Sequence, residues 1–368
     1  MNRACLPRSL GLAAAFAVLL GACAPEESQE AETEAAPEPS TFEWKLVTTW
    51  PKNLPGLGTA PERLAEMVDV MSAGRLKIKV YAANELVPAF EVFDAVSEGS
   101  AEMGHGAAYY WRGKAPIAAI FATVPFGMTA QEMNAWLYHG GGLELWRELY
   151  GRFGVVPMAA GNSGVQMAGW FNKEINTPAD LQGLKMRIPG LGGEVFQRAG
   201  GVAVSLPGSE IFTSLQTGVI DATEWVGPYN DLAFGFQEIA RYYYYPGWHE
   251  PGPTIEAIVN AEALNALPDD LKTILETACR AINQDMLDEF TARNAGSLRT
   301  LVEEHGVEVR RLPDEVLDEF RRLSAEVLAE SAGEDDELSQ RILDSYTNFL
   351  NDMREYHAVT EQAYLNAR

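Results

Sequence analysis

Phe93-Asp-Ala-Val-Ser-Glu-Gly-Ser-Ala-Glu102 and Phe212-Thr-Ser-Leu-Gln-Thr-Gly-Val-Ile-Asp221 share one layout, with an aromatic six positions before a glycine and an acid three positions after it. Each glycine suits the position just past a helix, where a positive φ is needed. Two copies of a helix–glycine–strand device indicate two similar α/β lobes facing a cleft. The flanking segments agree. Phe42 to Trp50 alternates as a strand stopped by Pro51, residues 61–72 read as a helix closed by Gly74, and Leu76 to Tyr81 alternates again. A helix over 89–98 leads into Gly99 and a short strand around Glu102 to Tyr110. Strands and helices alternating at this spacing specify an α/β fold.

In the middle third, the apolar run Val155 to Phe171 contains Asn162 and Gln166, and Thr177-Pro178 opens a short helix ending near Gly183. Lys185-Met-Arg187-Ile-Pro189 is a brief strand, and Ser209 is placed to cap a helix over 210–217. The last third is helical. Pro313 opens a helix through about Glu330, Gly333 breaks it, and a second helix runs from about Asp335 to the C-terminus. Its apolar positions Leu338, Ile342, Tyr346, Phe349, Met353 and Tyr356 form one stripe. Some 30 residues of helix reach about 45 Å, which suits a strut across both lobes or docking onto a second subunit.

The chain of 368 residues carries 28 Lys and Arg against 52 Asp and Glu, a formal net charge of −24. Nucleic acid and anionic membrane surfaces need a basic face, so both are excluded as partners. Residues 1–22 read as a signal peptide, with Arg3 and Arg8 before the apolar run Leu10 to Leu20, which is too short to span a bilayer. Gly21-Ala22-Cys23 resembles a lipobox with Cys23 as the acylated residue; ordinary cleavage near Ala22 or Ala24 is the alternative. Residues 23–41 are an acidic, proline-containing stretch with almost nothing apolar, expected to be a flexible tether. Three cysteines cannot make a disulfide framework here, and after processing only Cys279 remains as a free thiol.

Enzyme motifs find little support. His139-Gly-Gly-Gly142 has no accompanying nucleophile elbow, and Gly190-Leu-Gly192 lacks the third glycine of a dinucleotide fingerprint. The five histidines show no metal-cluster spacing. Arg187, at a strand end between apolar neighbours, suits bidentate capture of a carboxylate, or else a structural pair with an acid. Glu224 and Glu250 lie among aromatics and small residues, a poor setting for unpaired charge. A hard cation such as Ca²⁺ or Na⁺ would resolve that, with Gln166 adding an amide oxygen; two surface-facing acids is the plainer reading.

Phe42-Glu-Trp-Lys-Leu-Val-Thr-Thr-Trp-Pro-Lys52, Gly161-Asn-Ser-Gly-Val-Gln-Met-Ala-Gly-Trp-Phe171, Leu184-Lys-Met-Arg-Ile-Pro-Gly190 and Glu224-Trp-Val-Gly-Pro-Tyr229 resemble the DctP-type solute receptors of TRAP transporters. Arg241 to Gly252 is similar to the branch that binds 2-oxo or 2-hydroxy monocarboxylates, such as pyruvate and lactate, with a metal ion. The likeness extends over residues 42–368. It implies the two-lobed periplasmic binding protein fold with hinge strands, in which residues 42–164 with 253–292 form lobe I, 165–252 with 293–332 form lobe II, and 333–368 form a long C-terminal helix exchanged between subunits of a homodimer. It further implies that Arg187 clamps the ligand carboxylate and that Gln166, Glu224, the Trp225 carbonyl and Glu250 surround a Ca²⁺ or Na⁺. Tyr109, Tyr110 and Asn162 would line the cleft. The expected function is periplasmic capture of the acid by lobe closure and delivery to the membrane subunits, with no bond made or broken. An exported lyase or isomerase for the same acids, and a ligand-sensing subunit, are the alternatives. Arg187→Ala is expected to abolish binding and leave the fold intact.

Overall fold

The computed structural model describes residues 40–333 and 336–368. The signal peptide, Cys23, nearly all of the acidic tether and the expected helix start at Asp335 lie outside the described residues. No described helix is long and apolar enough to cross a membrane.

Two β-sheets organise the chain. The first runs β2-β1-β3-β10-β4, with β1 at Phe42–Thr48, β2 at Leu76–Tyr81, β3 at Met103–Gly106, β4 at Val155–Asn162 and β10 at Thr254–Asn260. The second runs β11-β9-β5-β8-β6-β7, with β5 at Gly169–Phe171, β6 at Lys185–Arg187, β7 at Val202–Val204, β8 at Ala222–Thr223, β9 at Tyr242–Tyr245 and β11 at Glu308–Arg311. Both contain the same unit. β1 is flanked by β2 and β3, both parallel to it. β6 is flanked by β7 and β8, both parallel to it. Each unit then pairs with an antiparallel strand, β10 on β3 and β5 on β8. The two-lobed architecture therefore rests on one β-α-β-α-β order used twice.

The sequence echo is a part of that unit. Helix Val92–Ser97 precedes Gly99, which has φ 75°, and helix Gly208–Gln216 precedes Gly218, with φ 74°. The acid that follows each glycine reaches back to the central strand: Glu102 accepts the backbone N–H of Lys45 at 2.7 Å, and Asp221 accepts that of Lys185 at 3.0 Å. Glycine supplies the turn and the acid sets the register of the next parallel strand.

Several local expectations need correction. The strand expected through Tyr110 stops at Gly106, and Ala108–Trp111 coils into a single 3-10 turn; a Cβ on Gly106 would lie 2.8 Å from the Trp111 ring that folds back over it. Ser209 is not a cap. Helix Gly208–Gln216 begins after Pro207, so Ser209 lies inside its first turn. The C-terminal segment is two helices, Glu337–Val359 and Glu361–Ala367, separated at Thr360 (φ −121°, ψ −101°).

The strut is a different helix. Asp269–Glu303, 35 residues long and so about 50 Å, packs along β4, where a Cβ on Gly161 would lie 2.5 Å from Met286. Further on it meets helix Pro228–Phe234, with Asn294 accepting the N–H of Tyr229 at 3.0 Å and Glu289 accepting the Tyr229 hydroxyl at 3.1 Å. Because different faces are covered along its length, its apolar residues form no single stripe. The stripe of Glu337–Val359 packs on helices Ala130–His139 and Gly142–Gly151, where the Tyr346 hydroxyl accepts the Met128 N–H at 3.0 Å and Trp136 Nε1 donates to Ser345 Oγ at 3.1 Å.

Candidate functional site

The C-terminal ends of the parallel strands point to one place. Open α/β sheets bind ligands outside the carboxyl ends of strands, where the strand order reverses. Here Trp50 follows β1, Tyr109 and Tyr110 follow β3, Arg187 ends β6, and Glu224 and Trp225 follow β8. The two passages of chain between the sheets, after β4 and after β9, bring Ser163 and Gln166 and then His249 and Glu250 to the same region. Gly247 lets these passages touch, since a Cβ there would overlap the Gln166 carbonyl oxygen at 2.0 Å.

A small, tightly closed cavity lies among these segments. Tyr109, Tyr110, Ser163, Gln166 and Arg187 are its polar lining, and Trp50, Leu57, Trp225, Val226 and Ile255 its apolar lining. Trp50 is held by a hydrogen bond from its Nε1 to His105 Nδ1 at 2.8 Å, while His105 Nε2 meets the Ala160 carbonyl at 3.1 Å. Burial pushes His105 down to about 4. Trp50 and Trp225 meet edge to face at 6.3 Å across the cavity.

Arg187 is 1% exposed. Its Nη1 is bonded to Glu224 Oε1, its Nε donates to the Leu206 carbonyl at 3.2 Å, and its Nη2 donates to the Tyr110 hydroxyl at 3.3 Å. The guanidinium also stands 5.1 Å above the Trp225 ring. Burial works against its charge, but Glu224 together with Tyr110, Tyr109 and Glu250 outweighs that and keeps the arginine above its usual range. Beyond the Tyr110 contact, Nη2 makes no other hydrogen bond among the described residues, and Arg187 lines the cavity.

Glu224 and Glu250 are buried, at 1% and 2% exposure, so neither is a surface-facing acid. With His249 they offer ligand atoms within 4.8 Å of one another. Gln166 donates its amide to Glu250 Oε2 at 2.8 Å and to Ser163 Oγ at 3.1 Å, and its backbone N–H to the Glu250 carbonyl at 3.2 Å. Burial first, and then the charge of Glu224, push Glu250 well above the usual carboxylate range, against the pull of Arg187, Tyr109 and Gln166. Gln166 Oε1 is buried without a hydrogen-bond partner. Two buried carboxylates sharing one guanidinium, beside an orphaned amide oxygen, are a donor set that fits a hard cation.

Asn162 is placed differently. It ends β4 at full burial, its amide donates to the Gly252 carbonyl at 3.1 Å, and its Oδ1 accepts the Gly164 N–H at 2.8 Å. It ties the two passages together and does not line the cavity. The sequence reading missed His249, Trp50 and Ser163 as site residues. His249 was hidden because a search for clustered histidines ignores a lone histidine beside an acid, although Trp248-His249-Glu250 carries that signal.

Residues 46–335 match the family model described as bacterial extracellular solute-binding protein, family 7. A monocarboxylate 2-oxoacid-binding periplasmic protein of Nostoc sp. PCC 7120 is 42% identical over 323 residues, 88% of each chain. The crystal structure of a TRAP periplasmic solute binding protein from Pseudoalteromonas atlantica T6c, with bound sodium and pyruvate, has 43% identity and a TM-score of 0.86, and is covered in full by 89% of this chain. One from Colwellia psychrerythraea, with bound calcium and pyruvate, has 42% identity, a TM-score of 0.86 and the same coverage.

Proposed function

The chain belongs to the bacterial extracellular solute-binding proteins of family 7, the DctP family, and on that premise we propose that its buried site captures pyruvate or a similarly small 2-oxo or 2-hydroxy monocarboxylate together with Ca²⁺ or Na⁺, for delivery to TRAP membrane subunits. The observation that carries this reading is the unpartnered, buried Gln166 Oε1 beside two buried carboxylates, at the edge of a small cavity that Arg187 also lines.

Each part of the site has a role that its chemistry supports. The ligand carboxylate meets the free edge of Arg187 and the tyrosine hydroxyls beside it, while the apolar wall from Trp50, Leu57 and Ile255 takes its methyl end. Glu224, Glu250, Gln166 and the Trp225 carbonyl are the residues that would hold the cation. When bound, the cation supplies positive charge and coordination for the carboxylate and 2-oxygen of the ligand. Residues of both sheets meet over the cavity: Tyr110 on Arg187, and Arg112 on the Gly190 carbonyl at 3.0 Å and on Glu194 at 2.7 Å. We take lobe I as 42–164 with 253–292 and lobe II as 165–252 with 293–332, so these contacts form as the lobes hinge shut and water leaves. Water exclusion strengthens every ionic contact inside.

Family 7 consists of receptors, and in this reading the acid leaves chemically unchanged. Residues 23–41 act as a tether behind an acylated Cys23, and the exposed end of the C-terminal segment pairs two copies of the chain. Calorimetry of the purified protein with pyruvate and lactate tests the capture, with saturable binding at one site per chain expected. An NMR time course of the same acids separates it from a lyase or isomerase: appearance of product would overturn the receptor reading.

A further inference from the structure

Resting on the reading just given, we infer that His249 is a positioning residue of the cation site, holding Glu224 through its Nε2 proton so that the carboxylate keeps the orientation the cation needs. His249 Nε2 lies 3.3 Å from Glu224 Oε2, while Arg187 occupies Oε1 of the same carboxylate. Both oxygens of Glu224 are therefore held, each by a residue of a different chain segment. The Nδ1 of His249 is buried with no hydrogen-bond partner. The tautomer that uses the ring's donor therefore places the proton on Nε2, facing the carboxylate.

The ring has little freedom to leave this position. It is 1% exposed. A Cβ on Gly192 would come 2.9 Å from the His249 Cβ, so only glycine fits behind it. Next to it, Trp248 stacks on Phe320 at 4.1 Å, and the Trp248 carbonyl accepts the Phe126 N–H at 2.8 Å. A histidine wedged this way is a fixed donor. Partners that orient a ligating carboxylate change metal affinity by about 10–100-fold when removed. Without His249, Glu224 Oε2 loses the contact that keeps it from swinging wholly onto Arg187.

The test uses the full-length protein, stripped of metal and titrated with Ca²⁺ alone by calorimetry. Glutamine places an amide N–H about where histidine has Nε2, and asparagine only where it has Nδ1. His249→Ala and His249→Asn are expected to weaken Ca²⁺ binding about 10–100-fold, and His249→Gln to restore it to within a few-fold of wild type. Thermal midpoints of the metal-free variants run alongside, and if His249→Ala does not fold, the Gln and Asn pair carries the comparison. ¹⁵N NMR of the histidine ring completes it. A retained Nε2 proton in the Ca²⁺-loaded protein is expected, and loss of that proton, or a metal-shifted ring nitrogen, would make His249 a direct ligand and overturn the inference. Unchanged Ca²⁺ affinity in His249→Ala, or equal losses for Gln and Asn, overturns it too. Wild-type protein that takes up neither Ca²⁺ nor, in a parallel titration, Na⁺ overturns the cation reading itself, and this inference with it; wild-type uptake with insensitive variants removes only this inference.

Discussion

The guanidinium of Arg187 and the carboxylate of Glu224 form an ion pair in which each side chain is only 1% exposed. The pair joins the residue assigned to the ligand with a residue assigned to the cation, so neither can be removed without disturbing the other. On the proposed reading, the structural arginine–acid pair and the ligand clamp therefore share Arg187. A buried pair stripped of one partner leaves an uncompensated charge and costs about 3–5 kcal/mol.

Arg187→Ala is therefore expected to lower stability by about that amount as well as to abolish pyruvate binding, contrary to the intact fold that the sequence alone suggests. Arg187→Lys is the sharper variant. It keeps a positive charge for Glu224 but lacks the planar fork, so pyruvate binding should weaken by roughly 10–100-fold while the midpoint of thermal unfolding moves by only a few degrees. Wild-type affinity in the lysine variant would remove the clamp role.

Metal removal should weaken the capture of pyruvate by roughly tenfold or more, since the ligand then meets Glu224 and Glu250 with only Arg187 to balance them. Added Ca²⁺ at about 100 times its dissociation constant should raise stability by ~2.7 kcal/mol. Glu250→Gln should blunt both effects and raise the stability of the metal-free form, because it removes a buried carboxyl whose ionised form burial and Glu224 both disfavour. Calorimetry and thermal melts of chelated protein, with and without Ca²⁺, check all three.

The pH dependence of stability has a source away from the cavity. Glu256 on β10 is fully buried, takes hydrogen bonds from Trp111 Nε1 at 2.5 Å and the Tyr150 hydroxyl at 3.0 Å, and is pushed by burial to about 8 against an ordinary 4.5. The folded protein thus holds this proton where the unfolded chain has lost it. Its contribution to stability is full below pH ~4.5, falls between ~4.5 and ~8, and is flat above, a loss on the order of a few kcal/mol. Asp231, pushed by burial to about 7, acts with the same sign. Glu256→Gln should gain stability over wild type steadily across that window in urea melts taken at successive pH values. A difference that does not grow with pH would contradict the assignment.

Beyond Leu350 the C-terminal segment has no buried residue, and Tyr356, Val359, Tyr364 and Leu365 are exposed. A chain ending at Leu350 should remain folded, with a melting midpoint close to that of the intact protein; the full chain is expected to sediment as a dimer and the shortened one as a monomer. Equal sedimentation of the two forms would remove this segment from the interface.

Much of this protein was legible in order of residues alone. The glycine–acid echo reports a local rule, helix end to next strand, and the structure repeats it as Glu102 on Lys45 and Asp221 on Lys185. Arg187, Glu224, Glu250 and Gln166 stood out because a polar residue among apolar neighbours is costly unless something compensates it. Tertiary structure alone decided what depends on residues far apart in the chain. Asn162 looks like a lining residue in sequence, yet its amide binds the passage at Gly252. The spanning helix Asp269–Glu303 was obscured because its neighbours change along its length. His249 acquired meaning only when folding set it 3.3 Å from Glu224, 25 positions earlier in the chain. Periodicity reports which face of an element is covered, but only three-dimensional packing determines which charges must share a buried space.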